Sequence, residues 1–292
     1  MGNEFVKSLL KYVDDTTEAL MDDPDRYKAF LAYLSRMDSP LGISNKMLIY
    51  GYDREATDIR TVMAWNMAGI TVLQMDKPIY ILTGKDSSEY DRSFLEVFDI
   101  KYTNAVKRKM LTFQDSGSFA EAVMAAAPCI LTFTDKKLEN KLKCFYDFEK
   151  QEIFMTNDYK DFDEISQNLL REYAHFYLED IYRKIYLKKL MNDMSRLNAD
   201  NTQSRDEQNK PEPIKLAQDT KAYHYNREAH NAEALSASYM VCKRYQQKPP
   251  DIPFIRRNPS VSINALRAGL ENMDIAFRNI IKTIEEGREA FA

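Results

Sequence analysis

Residues 169–176 read Leu169-Leu170-Arg171-Glu172-Tyr173-Ala174-His175-Phe176. They sit inside a stretch of helical periodicity, about residues 164–194. Two strand-like runs precede it, residues 143–148 and 151–155, turning at Glu149-Lys150. On a helix, positions 171 and 175 share a face and Glu172 lies beside them. A zinc hydrolase uses that spacing: two His at i and i+4 hold the ion, and the adjacent Glu takes a proton from metal-bound water. Here the Glu and the second His are present, but Arg171 stands in the place of the first His. A guanidinium has no lone pair to give, stays protonated and repels a dication. Taken alone, the segment reads as ordinary amphipathic helix.

Upstream, the pattern predicts helices and then a hairpin. Val6, Leu9, Leu10 and Val13 share one helical face, and Asp23-Pro24 makes an N-cap and N1 pair ahead of Tyr27, Phe30, Leu31 and Leu34. A short helix near Ser44 carries Met47 and Leu48. Another carries Val62 and Trp65 and stops at Gly69. Residues 70–73 and 78–82 read as paired strands, and residues 94–102 as a third. A second unit opens at Ser116-Gly117-Ser118, with a helix over residues 119–127 and a strand over 129–134. Downstream, residues 198–220 are almost wholly polar and read as a loop, and residues 227–245 as a helix. The last helix carries Leu266, Leu270, Met273, Phe277, Ile280 and Ile284 at alternating spacings of four and three, a seam that packs on the chain's own core.

Composition narrows the function classes. The 292 residues are 44% hydrophobic and 29% charged, with a net charge of −4. That excludes a wholly disordered chain and a polycation, so any nucleic-acid binding must rest on a local patch. Three cysteines, Cys129, Cys144 and Cys242, are odd in number and far apart, which predicts reduced thiols and a cytoplasmic setting. MGNEFVKSLL lacks the pattern of a signal peptide, and no run is long and apolar enough to span a membrane. Eight glycines form no phosphate-cradling loop, and no serine elbow or kinase signature is present.

Asn45-Lys46-Met47-Leu48-Ile49, Ala56-Thr57, Trp65, Gly69 and the strand Ile79-Tyr80-Ile81-Leu82 resemble the N-terminal domain of the antirestriction ArdC family. Ala127-Pro128-Cys129, Cys144-Phe145-Tyr146-Asp147, Glu152-Ile153-Phe154, the Glu172-x-x-His175 helix and the run from Ser238 to Tyr245 follow in that family's order. The resemblance implies a single-stranded-DNA-binding domain over residues 1–115, and a zincin-like metallopeptidase domain over 116–250 with the polar loop 198–220 inside it. A C-terminal helix follows over 251–292. The expected class is α+β, a helix-plus-hairpin domain joined to the zincin-like one.

Departures from the family set the functional expectation. Its metal site uses both His of the helix and a Glu from the later helix. Aligned on Tyr239, that Glu falls at Leu235, and Glu233 points to another face. Two of three ligands are missing, His175 is vestigial, and neither cofactor nor stoichiometric zinc is expected. Glu172 would be catalytic only in the alternative, an active zinc peptidase, where His230 and Glu233 could supply a rescue site. Arg171 is expected to replace the metal structurally by pairing with Glu228 or Glu233. For single-stranded DNA the candidates are Lys77, Trp65, Tyr50, Tyr52, Tyr80, Lys101, Lys107, Arg108 and Lys109, combining stacking faces with cations. The function expected is single-strand binding by an antirestriction-like protein of a mobile element, with a peptidase-like domain that has lost its activity. A protein-interaction module without DNA affinity is the third reading.

Overall fold

The computed structural model describes residues 2–84, 93–106, 111–136, 138, 142–203, 223–252 and 262–289. The class is α+β. Three helices come first: α1 (Gly2–Asp22), α2 (Pro24–Leu34) and α3 (Ile43–Tyr52). Asp23 caps α2, its carboxylate accepting from the backbone N–H of Asp25 and Arg26 at 2.9 and 3.1 Å, with Pro24 at N1 where no donor is needed. Gly42 offers α3 no side-chain cap, and the N–H of Ile43 is taken instead by the Glu271 carboxylate from far along the chain.

The first sheet has the order β1-β3-β2, with β1 (Ile59–Arg60), β2 (Ile79–Thr83) and β3 (Ser93–Asp99), and α4 (Val62–Met67) after β1. β2 and β3 are antiparallel, Ile79 opposite Val97 and Ile81 opposite Leu95. This corrects the expected pairing. Residues 70–73 form no strand; only Val72 bridges to Thr103, and β2 takes β3 as its partner. Ile79, Ile81 and Val97 are the buried residues of that pairing, whereas Leu73 is exposed.

The second sheet has the order β4-β6-β5. After α5 (Ser116–Ala125) come β4 (Ile130–Phe133), β5 (Cys144–Asp147) and β6 (Glu152–Met155). β4 runs parallel to β6, and β5 antiparallel to it at the sheet edge. Then α6 (Phe162–Gln203) runs for 42 residues. It enters the stretch read as loop: residues 198–203 are helical, and the remainder of that stretch lies outside the described residues. Hydrophobicity was the wrong signal there, because so polar a stretch offers no apolar stripe to read.

α7 (Arg227–Arg244) and α8 (Ile263–Glu289) are the last two described elements. Leu270, Met273, Phe277, Ile280 and Ile284 of α8 are all buried, as the seam predicts. One apolar core runs from Val13 and Phe30 through Tyr146 and Leu170 to these residues. Lys46 of α3 lies wholly inside it, paired with Asp274 of α8, which also receives Arg278 at 3.0 Å. A smaller cluster holds Trp65, Val72 and Phe98.

Candidate functional site

Two places bring the candidate residues together. The first is buried, under the edge of the second sheet. α6 turns Leu169, Leu170, Tyr173, Ala174 and Leu178 into the core, and the same face carries Glu172 and His175, both with no exposed surface. A buried carboxylate must be fully hydrogen-bonded or it neutralises. Glu172 has four donors. Its Oε1 accepts from Arg171 Nε at 2.9 Å and Arg227 Nη2 at 2.6 Å. Its Oε2 accepts from Arg227 Nη1 at 2.6 Å and from the Tyr146 N–H at 2.9 Å. Burial alone would push its pKa up, but the bidentate bond and charge of Arg227 outweigh burial and hold it below the ordinary value.

The Tyr146 bond closes a strand edge. Lys143 O accepts from Thr156 N–H, which makes Phe145 and Asp147 the residues that bond across to β6. Cys144 and Tyr146 therefore direct their N–H and C=O away from the sheet. Glu172 takes the Tyr146 N–H, and Arg171 Nη2 reaches Cys144 O at 3.5 Å. The row along which an extended peptide would add to β5 is thus bonded by the chain itself.

His175 is neutral. Burial, then the Arg227 charge, pushes its pKa down to about 3. Its Nδ1 meets the Tyr225 hydroxyl at 2.9 Å. His230 stacks on Tyr182 with ring centroids 3.9 Å apart, and its Nδ1 lies 3.3 Å from Glu233. Both oxygens of Glu233 accept from the Tyr182 hydroxyl at 2.9 Å. These donors do not fit a divalent ion: the one deeply buried carboxylate is saturated by two guanidiniums. Among the described residues no group of three His, Cys, Asp or Glu converges on a point.

The expected partner of Arg171 is corrected. Arg171 pairs with its neighbour Glu172, not with Glu228 or Glu233, and the link from α6 to α7 is made by Arg227. Sequence reading passed over Arg227, although a signal existed. An Arg at the first position of a helix opposes the macrodipole and calls for a carboxylate elsewhere.

The second place is a cleft of about 470 Å³ on the first half, lined by Tyr52, Asp53, Asp76, Lys77, Ile79, Lys101 and Tyr102 among others. It lies between the end of α3, the start of β2 and the turn after β3. Lys77 and Lys101 place their ammonium groups 5.6 and 5.0 Å from the Tyr102 ring centroid. Lys101 also pairs with Asp53, and Lys77 makes no ion pair among the described residues. Tyr52 is 66% exposed.

Three single-strand candidates, Tyr52, Lys77 and Lys101, thus meet in one cleft, and Tyr102, not anticipated, joins them. Trp65 does not join them: it is wholly buried, its Nε1 donating to Phe98 O at 3.0 Å, so no ring face is left for a base. Tyr50 is buried against Phe30 and Tyr33. Tyr80 packs edge-on with Phe5 and Phe94 on the face of β2 opposite the core. Lys107, Arg108 and Lys109 lie outside the described residues.

No family model and no curated protein matches the chain. Among solved structures it is similar to the crystal structure of antirestriction ArdC protein from the R388 plasmid in a Mn(II)-bound form. The identity is 12% over 85% of this chain and 84% of that one, with a TM-score of 0.40. The metal-free form of the same protein gives 12% identity, 86% of each chain and a TM-score of 0.38. No helix among the described residues is long and apolar enough to cross a membrane.

Proposed function

We propose that the chain binds single-stranded DNA through the cleft at Tyr52, Lys77, Lys101 and Tyr102, as an antirestriction-like protein of a mobile element. Residues 1–115 are the binding unit in this reading, and residues 116–250 a zincin-like scaffold without peptidase chemistry. The observation that carries it is the cleft itself, with tyrosine faces beside ammonium groups, the combination that holds bases by stacking and backbone by charge. Asp53 and Asp76 balance the lysines there, so stacking supplies most of the affinity and the salt dependence is shallow. One or two phosphate contacts give a slope of log K on log salt of roughly −0.7 to −1.4. The scaffold reading rests on Glu172. A general base must reach a water, and this carboxylate has no exposed surface and no free lone pair.

The test is fluorescence anisotropy of a labelled oligonucleotide over a salt series. Tyr52→Ala and Tyr102→Ala should each weaken binding by roughly 1–3 kcal/mol per base unstacked. Lys77→Ala should flatten the slope by about 0.7. Binding that survives all three unchanged places the strand elsewhere, and no binding at low salt overturns the reading.

A further inference from the structure

The buried trio at Glu172 leaves a charge over. Two guanidiniums share one carboxylate, and each carries a fixed positive charge. Among the described residues, Glu172 is the only ion-pair partner of either Arg171 or Arg227. Glu228 follows Arg227 directly, but it is exposed and pairs with neither. Lys143, just before β5, and Glu164 of α6 satisfy each other at 3.1 Å. His175 on the same face adds no charge.

Neither guanidinium is sealed. The Arg171 and Arg227 side chains are 17% and 21% exposed, while Glu172 beneath them has none. Arg227 spends both terminal nitrogens on Glu172 and keeps its Nε–H. Arg171 spends Nε on Glu172, reaches Cys144 O with Nη2, and keeps both hydrogens of Nη1. The Phe145 ring covers one face of the Arg227 guanidinium, its centroid 5.1 Å from Cζ. The amino end of α7 opens beside them, and Arg227 is its first residue. A surplus positive charge half-withdrawn from water, with planar donors unspent, is a receptor for a charge of the opposite sign.

We propose that the mouth between Arg171 and Arg227 is an oxyanion-binding site, taking a phosphate or carboxylate group that completes the charge balance of the trio. The ligand bonds to the unspent donors of both arginines and leaves the Glu172 bonds intact. This site is separate from the single-strand cleft and stands whether or not that cleft binds DNA.

The experiment uses the whole chain and phenylglyoxal, which modifies accessible guanidiniums, with peptide mass spectrometry to read each arginine. Inorganic phosphate and acetate are compared with sodium chloride at equal ionic strength. Phosphate, acetate or both should slow modification of Arg171 and Arg227 at least fivefold and saturably, while exposed Arg54 and Arg60 react unchanged. Which anion protects tells a tetrahedral from a planar ligand. Equal rates at Arg171 and Arg227 in all three salts overturn the proposal. As a second arm, Arg171→Gln removes the surplus charge while keeping the bidentate Arg227–Glu172 pair. Thermal stabilisation by the protecting anion relative to chloride should be present in the parent and lost in the variant. Stabilisation retained in the variant puts the anion elsewhere and also overturns the proposal.

Discussion

Removing Arg227 should cost far more than removing Arg171, although both touch Glu172. Arg227→Ala deletes two bonds of 2.6 Å to a carboxylate with no exposed surface, leaving only Arg171 Nε and the Tyr146 N–H. Breaking a buried pair from one side typically costs about 3–5 kcal/mol. At roughly 2–4 °C per kcal/mol in chains of this size class, even the lower bound lowers the melting temperature by roughly 6–12 °C. The deficit should depend on pH. In the parent, Glu172 titrates below its ordinary value of 4.5, so the stability it contributes is present above that value and lost as pH falls below it. In the variant, burial is unopposed by Arg227 and the carboxyl titrates higher, taking up its proton in the folded state. The gap between parent and variant is therefore widest near pH 7 and closes toward pH 4. Arg171→Ala keeps the bidentate pair and should cost under about 1 kcal/mol, because the bond it removes belongs to a trio with a positive charge to spare. Thermal denaturation of both variants at pH 7 and pH 4.5 decides it. An Arg227→Ala protein melting within about 2 °C of the parent would refute the reasoning, as would a deficit equal at the two pH values.

Trp65→Phe removes the Nε1 bond to Phe98 O and some core volume, and should cost about 1–3 kcal/mol in chemical denaturation. Its affinity for a labelled single strand should match that of the parent; a loss of affinity would restore Trp65 as a stacking face. Glu271→Ala uncaps α3 at Ile43 and should lower stability by about 1 kcal/mol, the usual worth of an N-cap, read from the midpoint in urea.

Local chemistry made much of the fold legible. Asp23-Pro24 announced α2, because cap and N1 are chosen by the backbone groups next to them. Glu149-Lys150 announced the β5–β6 hairpin, and the seam from Leu266 to Ile284 announced α8. What failed was non-local. Residues 70–73 and 93–99 offered β2 comparable partners, and only the second choice buries Ile79 and Ile81 against Val97. The polar residues 198–203 concealed helix because so polar a stretch carries no apolar stripe to see. At the site, Glu172 and His175 were visible from their spacing on one helix. The partner of Glu172 was not visible, because Arg227 lies 55 residues away and no short motif joins them. In the cleft, Tyr52, Lys77 and Lys101 were named one by one from residue type. That they meet, and that Tyr102 stands between the two lysines, depends on where α3 ends relative to β2.

Synthesis of the chain runs against the grain of one contact. The ammonium of Lys46 and the first free N–H of α3 are satisfied by Asp274 and Glu271, each 228 residues later. A ribosome adding roughly 5–20 residues per second needs roughly ten to fifty seconds to cover that interval. Throughout it Lys46 must stay in water, since burying a lone ammonium is far too costly. The face of α3 that carries it cannot close in that time. The first half of the protein therefore leaves the ribosome with an open seam, and Met47 and Ile49 beside that seam are exposed to whatever holds nascent chains apart. Only α8, which follows the other described elements in the chain, lets the first three settle.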